Sequence, residues 1–348
     1  MKIRWFILKH LSFNYIYLNF LIFHSVYPMN DVKMIFPKRN YIFLAIGMIA
    51  LLVLIEISIR MQVVLMKSFS TLNISEFLRN NLSSYVSFTF AVLPLLVMEI
   101  LMPNDTESRD HRHGVLFWII SIQCNYFFSL LSLGIINYFG IGPVFKLSFE
   151  SIESTSFLNP ILLNCFLIIL SLLIFDFFYY WFHRMQHSTS FFWEFHKTHH
   201  SIKNLNSIVS YHHVSEELFR IPFITIPLAI LIHIDAPRLA VLSSFYAVYG
   251  QFIHMNSKIS LGPVRFFFAD NYYHRIHHSI EERHHNKNFS AFFPIWDILF
   301  RTVHFPKSNE FPKVGLTDVI QPKTLKEYLF QPRPFKKETE RIISKKWF

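Results

Sequence analysis

Long apolar stretches, rather than one-faced or alternating patterns, dominate the chain. They recur at about Tyr41–Ile59, Tyr85–Met102, Val115–Phe139 and Phe157–Phe182, the first ending in a Glu56/Arg60 pair four residues apart. Each is about long enough to cross a bilayer as an α-helix. Two shorter runs follow, Leu218–Ile234 and Leu239–Ile253, joined by the turn-like Asp235-Ala236-Pro237-Arg238. At roughly 16 residues each they fit either a re-entrant hairpin or two crossings. The pattern predicts an all-α, polytopic membrane protein without internal repeats.

Composition agrees with this reading. The chain has 348 residues, 52% hydrophobic and only 16% charged, with 41 phenylalanines and 8 glycines. Charged residues make up about 25% of an average soluble domain, and neither disorder nor a Gly-rich architecture suits these figures. The net charge of +10 is not interleaved with a nucleic-acid-binding motif, so no nucleic-acid partner is expected. Its basic residues gather near the ends: Lys2, Arg4, Lys9, Lys33, Lys38 and Arg39, then Arg333, Lys336, Lys337, Arg341, Lys345 and Lys346. In a membrane protein such flanks mark cytoplasmic faces and anionic headgroups. With Arg109 and Arg112 in the Asn104–Gly114 loop inside, and Lys146 against Glu150 and Glu153 in the Gly140–Ser156 loop outside, Phe157–Phe182 returns the chain to the cytoplasm. Arg184–Glu217 and everything after His254 then lie on the cytoplasmic side. The first 33 residues suit an interfacial helix better than a signal peptide, because Lys9, His10, Asn14 and Asn19 interrupt the apolar run; initiation at Met29 or Met34 is an alternative. Cys124 and Cys165 sit inside apolar runs and are expected to be reduced packing residues; two cysteines cannot build a four-cysteine zinc or iron–sulfur site.

The histidines change the picture. Of 19, all but His10, His24, His111 and His113 fall between His183 and His304. Three spacings stand out: His183-Arg-Met-Gln-His187, His196-Lys-Thr-His199-His200 and His274-Arg-Ile-His277-His278. Positions i, i+3 and i+4 share one helix face, so each cluster can aim its imidazoles at one point. Neutral imidazole suits zinc, copper, iron and nickel. Eight imidazoles exceed the four ligands of one tetrahedral zinc, which implies two metals. Isolated histidines such as His233 and His304, and also His212, His284 and His285, are read as packing or capping residues.

A zinc protease would need a glutamate beside the first histidine of its helix, where this chain has Arg184, Lys197 and Arg275. Carboxylate-bridged di-iron bundles use Glu and Glu-x-x-His on inward helix faces, a pattern absent from these clusters. What remains is a histidine-rich dinuclear centre at a membrane interface, suited to oxidising lipid carbon.

At these residues the chain resembles the fatty acid hydroxylase superfamily, which includes sterol desaturases, C4-sterol methyl oxidases, fatty acid hydroxylases and alkylglycerol monooxygenase. The resemblance rests on Asp176-Phe-Phe-Tyr-Tyr-Trp-Phe-His183-Arg, Phe195-His196-Lys-Thr-His199-His200-Ser201, Gln251-Phe-Ile-His254-Met-Asn256 and His274-Arg-Ile-His277-His278-Ser279, continuing into Asn288-Phe289 and Ile295-Trp296-Asp297-Ile-Leu-Phe300. It implies a four-helix transmembrane core of Val115–Phe139, Phe157–Phe182 and the hairpin Leu218–Ile253, capped by a cytoplasmic histidine-rich helical domain, with Tyr41–Met102 an added N-terminal hairpin. It implies two iron ions held by His183, His187, His196, His199, His200, His274, His277 and His278, with His254 as a ninth ligand. Some members carry a further histidine where this chain has Gly250, and a glycine where it has Ser290. His213 resembles a family histidine that precedes a glutamate, and is expected either beside the ligands or in packing. Asp176, Glu194, Glu217, Asp270 and Asp297, with Asn288 nearby, are candidates to steady the ligands, the carboxylates by accepting free ring N–H groups.

The resulting organisation is 1–40 basic interfacial segment, 41–114 transmembrane hairpin, 115–305 catalytic domain and 306–348 basic cytoplasmic tail. The implied activity is O2-dependent, non-haem di-iron hydroxylation or desaturation of a lipid of sterol, fatty acyl or alkylglycerol type. With no Rossmann or haem motif in the chain, electrons are expected from a separate cytochrome-b5-like or ferredoxin-type donor docking on the basic face. The competing readings are a histidine-rich metal transporter, which would place its histidines within the spans, and a zinc-dependent membrane hydrolase. A bacterial inner membrane is the expected location; Lys345 and Lys346, placed like a dilysine signal, make the endoplasmic reticulum the alternative.

Overall fold

The structure is a computed structural model that describes residue 89 and residues 92–104, 112–144, 160–232, 236–307 and 310–330. Among them the fold is all-helical, the only extended pairings being isolated bridges at Pro103–Ser257 and Ser279–Val314. The expected segments at 1–40, Tyr41–Ile59, Glu56/Arg60 and the tail beyond 330 lie outside the described residues. We number the helices in chain order: α1 (Val92–Leu101), α2 (Arg112–Tyr138), α3 (Pro160–Ser188), α4 (Ser190–His200), α5 (Glu216–Arg220), α6 (Ile226–Leu231), α7 (Ala236–His254), α8 (Asn271–His277), α9 (Ile295–Leu299) and α10 (Leu325–Phe330).

Three of the expected apolar segments are long helices, α2, α3 and α7. The fourth, Leu218–Ile234, is not continuous: α5 gives way to a π-turn at Ile221–Thr225 before α6 begins. Pro222 and Pro227 lack the N–H that an α-helix would direct at Leu218 and Phe223. The chain relaxes by widening the turn, so that Ile226 N–H reaches the Ile221 carbonyl five residues back.

Among the described residues one helix, Leu162–Ser188, is long and apolar enough to cross a membrane. It is sided: Leu163, Leu167 and Leu172 are buried, whereas Leu162, Phe166, Ile169 and Leu170 are exposed. Exposed apolar groups on this scale, joined by Leu116, Ile119 and Phe127 of α2, mark a surface that meets lipid or another protein. The buried side, with α7 and the 291–293 segment, forms an aromatic core around Tyr179, Phe182, Phe292 and Phe293.

Buried carboxylates tie this core to the histidine-bearing segments. Asp176, wholly buried in α3, accepts the N–H groups of Ala291 (2.8 Å), Phe292 (3.2 Å) and Phe293 (2.8 Å). Asp297 accepts the N–H of Phe289 (2.8 Å) and Ser290 (2.9 Å) and the hydroxyls of Tyr273 (2.9 Å), Thr302 (2.6 Å) and Ser290. Glu99 of α1 joins two distant loops, accepting from Asn256 N–H (2.7 Å) and Ser207 N–H (3.2 Å). Asp270 caps α8 through Tyr273 N–H (3.0 Å) and pairs with Arg265 (2.7 Å). On the far side, Tyr328 of α10 stacks on Phe117 of α2 (4.3 Å) and donates to the His212 carbonyl (2.7 Å).

Gly114, in the first turn of α2, lies against the 205–211 segment. A Cβ there would stand 2.6 Å from Val209 Cγ2 and 3.2 Å from its Cα. Gly114→Ala should therefore destabilise the chain by about 1–3 kcal/mol through overpacking, read as a lower thermal midpoint in detergent. Gly142→Ala, with nothing within 4 Å of the new methyl, is the control and should leave the midpoint in place.

Candidate metal centre

The three histidine motifs occupy three helices. His183 and His187 lie one turn apart at the end of α3; His196, His199 and His200 share the inner face of α4; His274 and His277 close α8, with His278 as its C-cap. His254 is the last residue of α7. The packing of α3 on α4 and of α7 on α8 brings all nine rings together, each 6% exposed or less.

They divide into two groups. His183, His187, His196, His200 and His277 form one, and His199, His254, His274 and His278 the other; within each, one ring nitrogen per residue lies within 4.8 Å of the rest. Either group could hold a metal ion.

The hydrogen bonds determine which nitrogens point inward. A carbonyl oxygen can only accept, so each Nδ1 facing one must carry the proton. This applies to His183 (Phe289 O, 2.7 Å), His199 (Tyr211 O, 3.2 Å), His254 (Gly250 O, 2.5 Å) and His277 (Lys287 O, 2.9 Å). His196 Nδ1 is held likewise by the Glu216 carboxylate (3.3 Å). The Nε2 atoms then bear lone pairs, yet His199 and His254 Nε2 stand 3.2 Å apart, and His183 and His196 Nε2 3.1 Å apart. Two lone pairs at that distance repel unless a cation lies between them or one ring is protonated. Protonation is disfavoured: burial, reinforced by neighbouring imidazoles, pushes His199, His200 and His278 well below the ordinary histidine range, and burial pushes His277 down to about 3. Buried His200 Nε2 and His277 Nε2 also have no hydrogen-bond partner. The donor set therefore fits metal ions that accept neutral imidazole.

Aromatic rings close the surroundings. Phe289 lies against His183, His187 and His277 at 5.2–5.7 Å between ring centres, and Trp193 against His187 at 5.2 Å.

The residues expected to support the ligands are placed differently from the sequence reading. None of Asp176, Glu194, Glu217, Asp270 and Asp297 has a recorded bond to an imidazole of the nine. Asp176 and Asp297 hold backbone N–H groups instead; since Asp297 fixes Phe289, whose carbonyl orients His183, it acts on the centre one step removed. Asp270 caps α8, Glu194 pairs with Lys197, and Glu217 pairs with Arg220 (2.7 Å). Asn288 accepts from His304 N–H (2.7 Å) and donates to the Tyr273 and His304 carbonyls. His213 faces Ser215 and the Leu329 carbonyl, on the packing side of its two readings.

The sequence reading missed the neighbours of two of these. Glu216, not Glu217, is the carboxylate on a candidate ligand, and it also holds His212 Nδ1 (2.9 Å) and Arg220 (3.2 Å). His212, not His213, stacks on His199, ring centres 3.8 Å apart. Adjacent residues face different ways, about 100° apart where the chain is helical, as at Glu216 and Glu217, and only the structure fixes which one points inward.

Comparison with known proteins follows the same residues. Residues 168–302 match the fatty acid hydroxylase family, and this stretch contains all nine histidines. The chain is 33% identical over 145 residues to alkylglycerol monooxygenase of Homo sapiens, covering 42% of this chain and 32% of that protein. It is also 33% identical over 184 residues to the ornithine lipid hydroxylase OlsE of Rhizobium tropici, covering 52% of this chain and 54% of that protein. The chain thus spans about a third of the first relative's length and about half of the second's. No solved structure matches it.

Two outcomes follow. Glu216→Gln should weaken metal retention about 10–100-fold in a chelator competition, whereas Glu217→Gln should stay near the parent value. In the metal-free chain, unfolded histidines take up protons near pH 6.5 but folded His277 only near about pH 3. The unfolded state then binds more protons in that window, so unfolding free energy should fall as pH drops below about 6.5, visible in denaturant titrations of apoprotein across the range.

Proposed function

We propose that this protein is a membrane-bound, non-haem di-iron oxygenase that hydroxylates or desaturates a lipid. The observation that carries the reading is the pairing of inward Nε2 lone pairs across a buried site, with Nδ1 protons pinned outward on carbonyls and on Glu216. In this reading His183, His187, His196, His200 and His277 hold one iron, and His199, His254, His274 and His278 the other. Bound there, two ferrous ions would supply O2 activation, with electrons from an external cytochrome-b5-like or ferredoxin-type donor.

The chain's own residues do the rest. Phe289 and Trp193 screen the imidazoles from water, which suppresses side reactions at an oxidising centre. The aromatic core of Tyr179, Phe182, Phe292 and Phe293 lies along α3 below His183. Apolar substrate held in this part of the fold would present a C–H bond to the centre at fixed distance and orientation, the main contribution a protein makes to such chemistry. The relatives' names, alkylglycerol monooxygenase and ornithine lipid hydroxylase, support a lipid substrate. The exposed apolar sides of α2 and α3 support placement in the bilayer, and the proposal includes a multi-pass topology with the histidine domain on the cytoplasmic face, as the charge flanks suggest, in a bacterial inner membrane, the endoplasmic reticulum being the alternative. The domain division at 41, 115 and 306 belongs to the same proposal.

Protein purified in detergent from iron-replete cells should contain about two irons per chain. It should consume O2 when given a reductant and an alkylglycerol or acylated amino-acid lipid. His199→Ala with His277→Ala, one residue from each group, should lose most of the iron and all of the O2 uptake. About one zinc per chain, or iron retained in the double variant, would discard the di-iron reading and favour a zinc hydrolase or a transporter.

A further inference from the structure

Outside the nine-histidine centre, one more set of metal-ligating side chains converges. His284 ends the short 3-10 turn Glu282–His284 and is fully buried; His304 and Glu310 come from the segment that follows α9. His284 Nε2 stands 3.1 Å from Glu310 Oε1, and His304 Nε2 stands 3.2 Å from Oε2. The three donor atoms lie within 4.8 Å of one another, and the rings meet edge to face at 4.7 Å.

The backbone presents these groups without freedom to drift. His284 Nδ1 is anchored on Ser279 Oγ at 2.8 Å, which aims Nε2 at the carboxylate. Asn288 clamps the His304 backbone from both sides, accepting its N–H (2.7 Å) and donating to its carbonyl (2.8 Å). Lys307 N–H donates to Glu310 Oε2 (3.0 Å). Ser279 pairs with Val314 in an isolated bridge, and Ile280 N–H donates to the Lys313 carbonyl, so the loop and the returning segment are already held side by side. The remaining contact is Arg283, whose guanidinium reaches Glu310 Oε1 at 2.9 Å. Arg283 is 56% exposed and is also held by Glu281 (2.7 Å), so it can turn to that partner and open that side of the carboxylate to a fourth ligand.

We propose that His284, His304 and Glu310 form a third metal site, separate from the nine-histidine centre, for a divalent cation of zinc type. Two imidazoles and one carboxylate, with a fourth position on the side that Arg283 covers, are a donor set that zinc accepts. The site is a structural clip. Its two segments flank the proposed iron ligands, since Ser279 follows His278 directly and Asn288 precedes Phe289, whose carbonyl orients His183. A cation joining them would fix that wall without taking part in oxidation.

The test counts metal. Zn2+ titrated into the full-length metal-free chain in detergent should saturate at about three per chain, two in the nine-histidine centre and one at the clip. His284→Ala with His304→Ala, and separately Glu310→Gln, which keeps the side chain's shape and an acceptor but removes its charge, should each saturate at about two. Iron loading measured on the same variants should stay at the parent value, which separates this site from the oxygenase centre and reports that the variants fold. His274→Ala with His278→Ala should lose zinc from the main centre yet keep the equivalent that Glu310→Gln removes. Saturation of the parent chain at about two, or about three in both clip variants, would overturn the proposal.

Discussion

Imidazoles buried lone pair against lone pair constrain everything around them. A neutral histidine has one donor and one acceptor; once the donor is spent on a carbonyl, the acceptor must face a proton or a cation. In this chain four of the nine spend Nδ1–H on backbone carbonyls, and His196 spends it on Glu216. The carbonyls must therefore stand at fixed places, and three of them, those of Tyr211, Lys287 and Phe289, lie in segments with no regular structure. Much of the architecture outside the long helices serves to hold those segments.

This explains where the buried carboxylates went. A carboxylate on an imidazole orients one ring, whereas one that accepts several backbone N–H groups orients a stretch of chain. Asp176 takes three consecutive amides and Asp297 two, and the Asp297 pair includes the residue whose carbonyl fixes His183. Such buried acceptors are costly unless fully bonded, and these are. Rigidity reaches the centre through the main chain, which also couples α3 to the 289–297 segment more than a hundred residues later.

Helical periodicity and apolar length made much of this legible from the sequence. The runs around 115–139, 157–182 and 239–253 correspond to α2, α3 and α7, and the i, i+3 and i+4 spacing placed each histidine cluster on one face. Reading Leu218–Ile234 by length alone overlooked Pro222 and Pro227, whose missing donors break it. Contacts made across loops left no spacing to read. Glu216 and Glu217 are equivalent in sequence, as are His212 and His213, and the turn that separates their roles is set by packing against α2 and α10. His284, His304 and Glu310 lie on irregular backbone, where no periodicity connects them.

The all-imidazole character of the centre has one further consequence. Nine neutral rings bring no negative charge, and Glu216 is the only carboxylate with a recorded bond to any of them among the described residues; its charge is shared with Arg220. Cations held there would keep most of their charge in a medium where uncompensated charge is expensive. Affinity would have to come from ligand number and preorganisation rather than from ion pairing. That demand accounts for the rigid backbone acceptors, the aromatic screen and the absence of slack in the ring packing. It also sets the centre apart from the His284/His304/Glu310 cluster, where a site can use its own carboxylate to neutralise a cation and needs only three side chains.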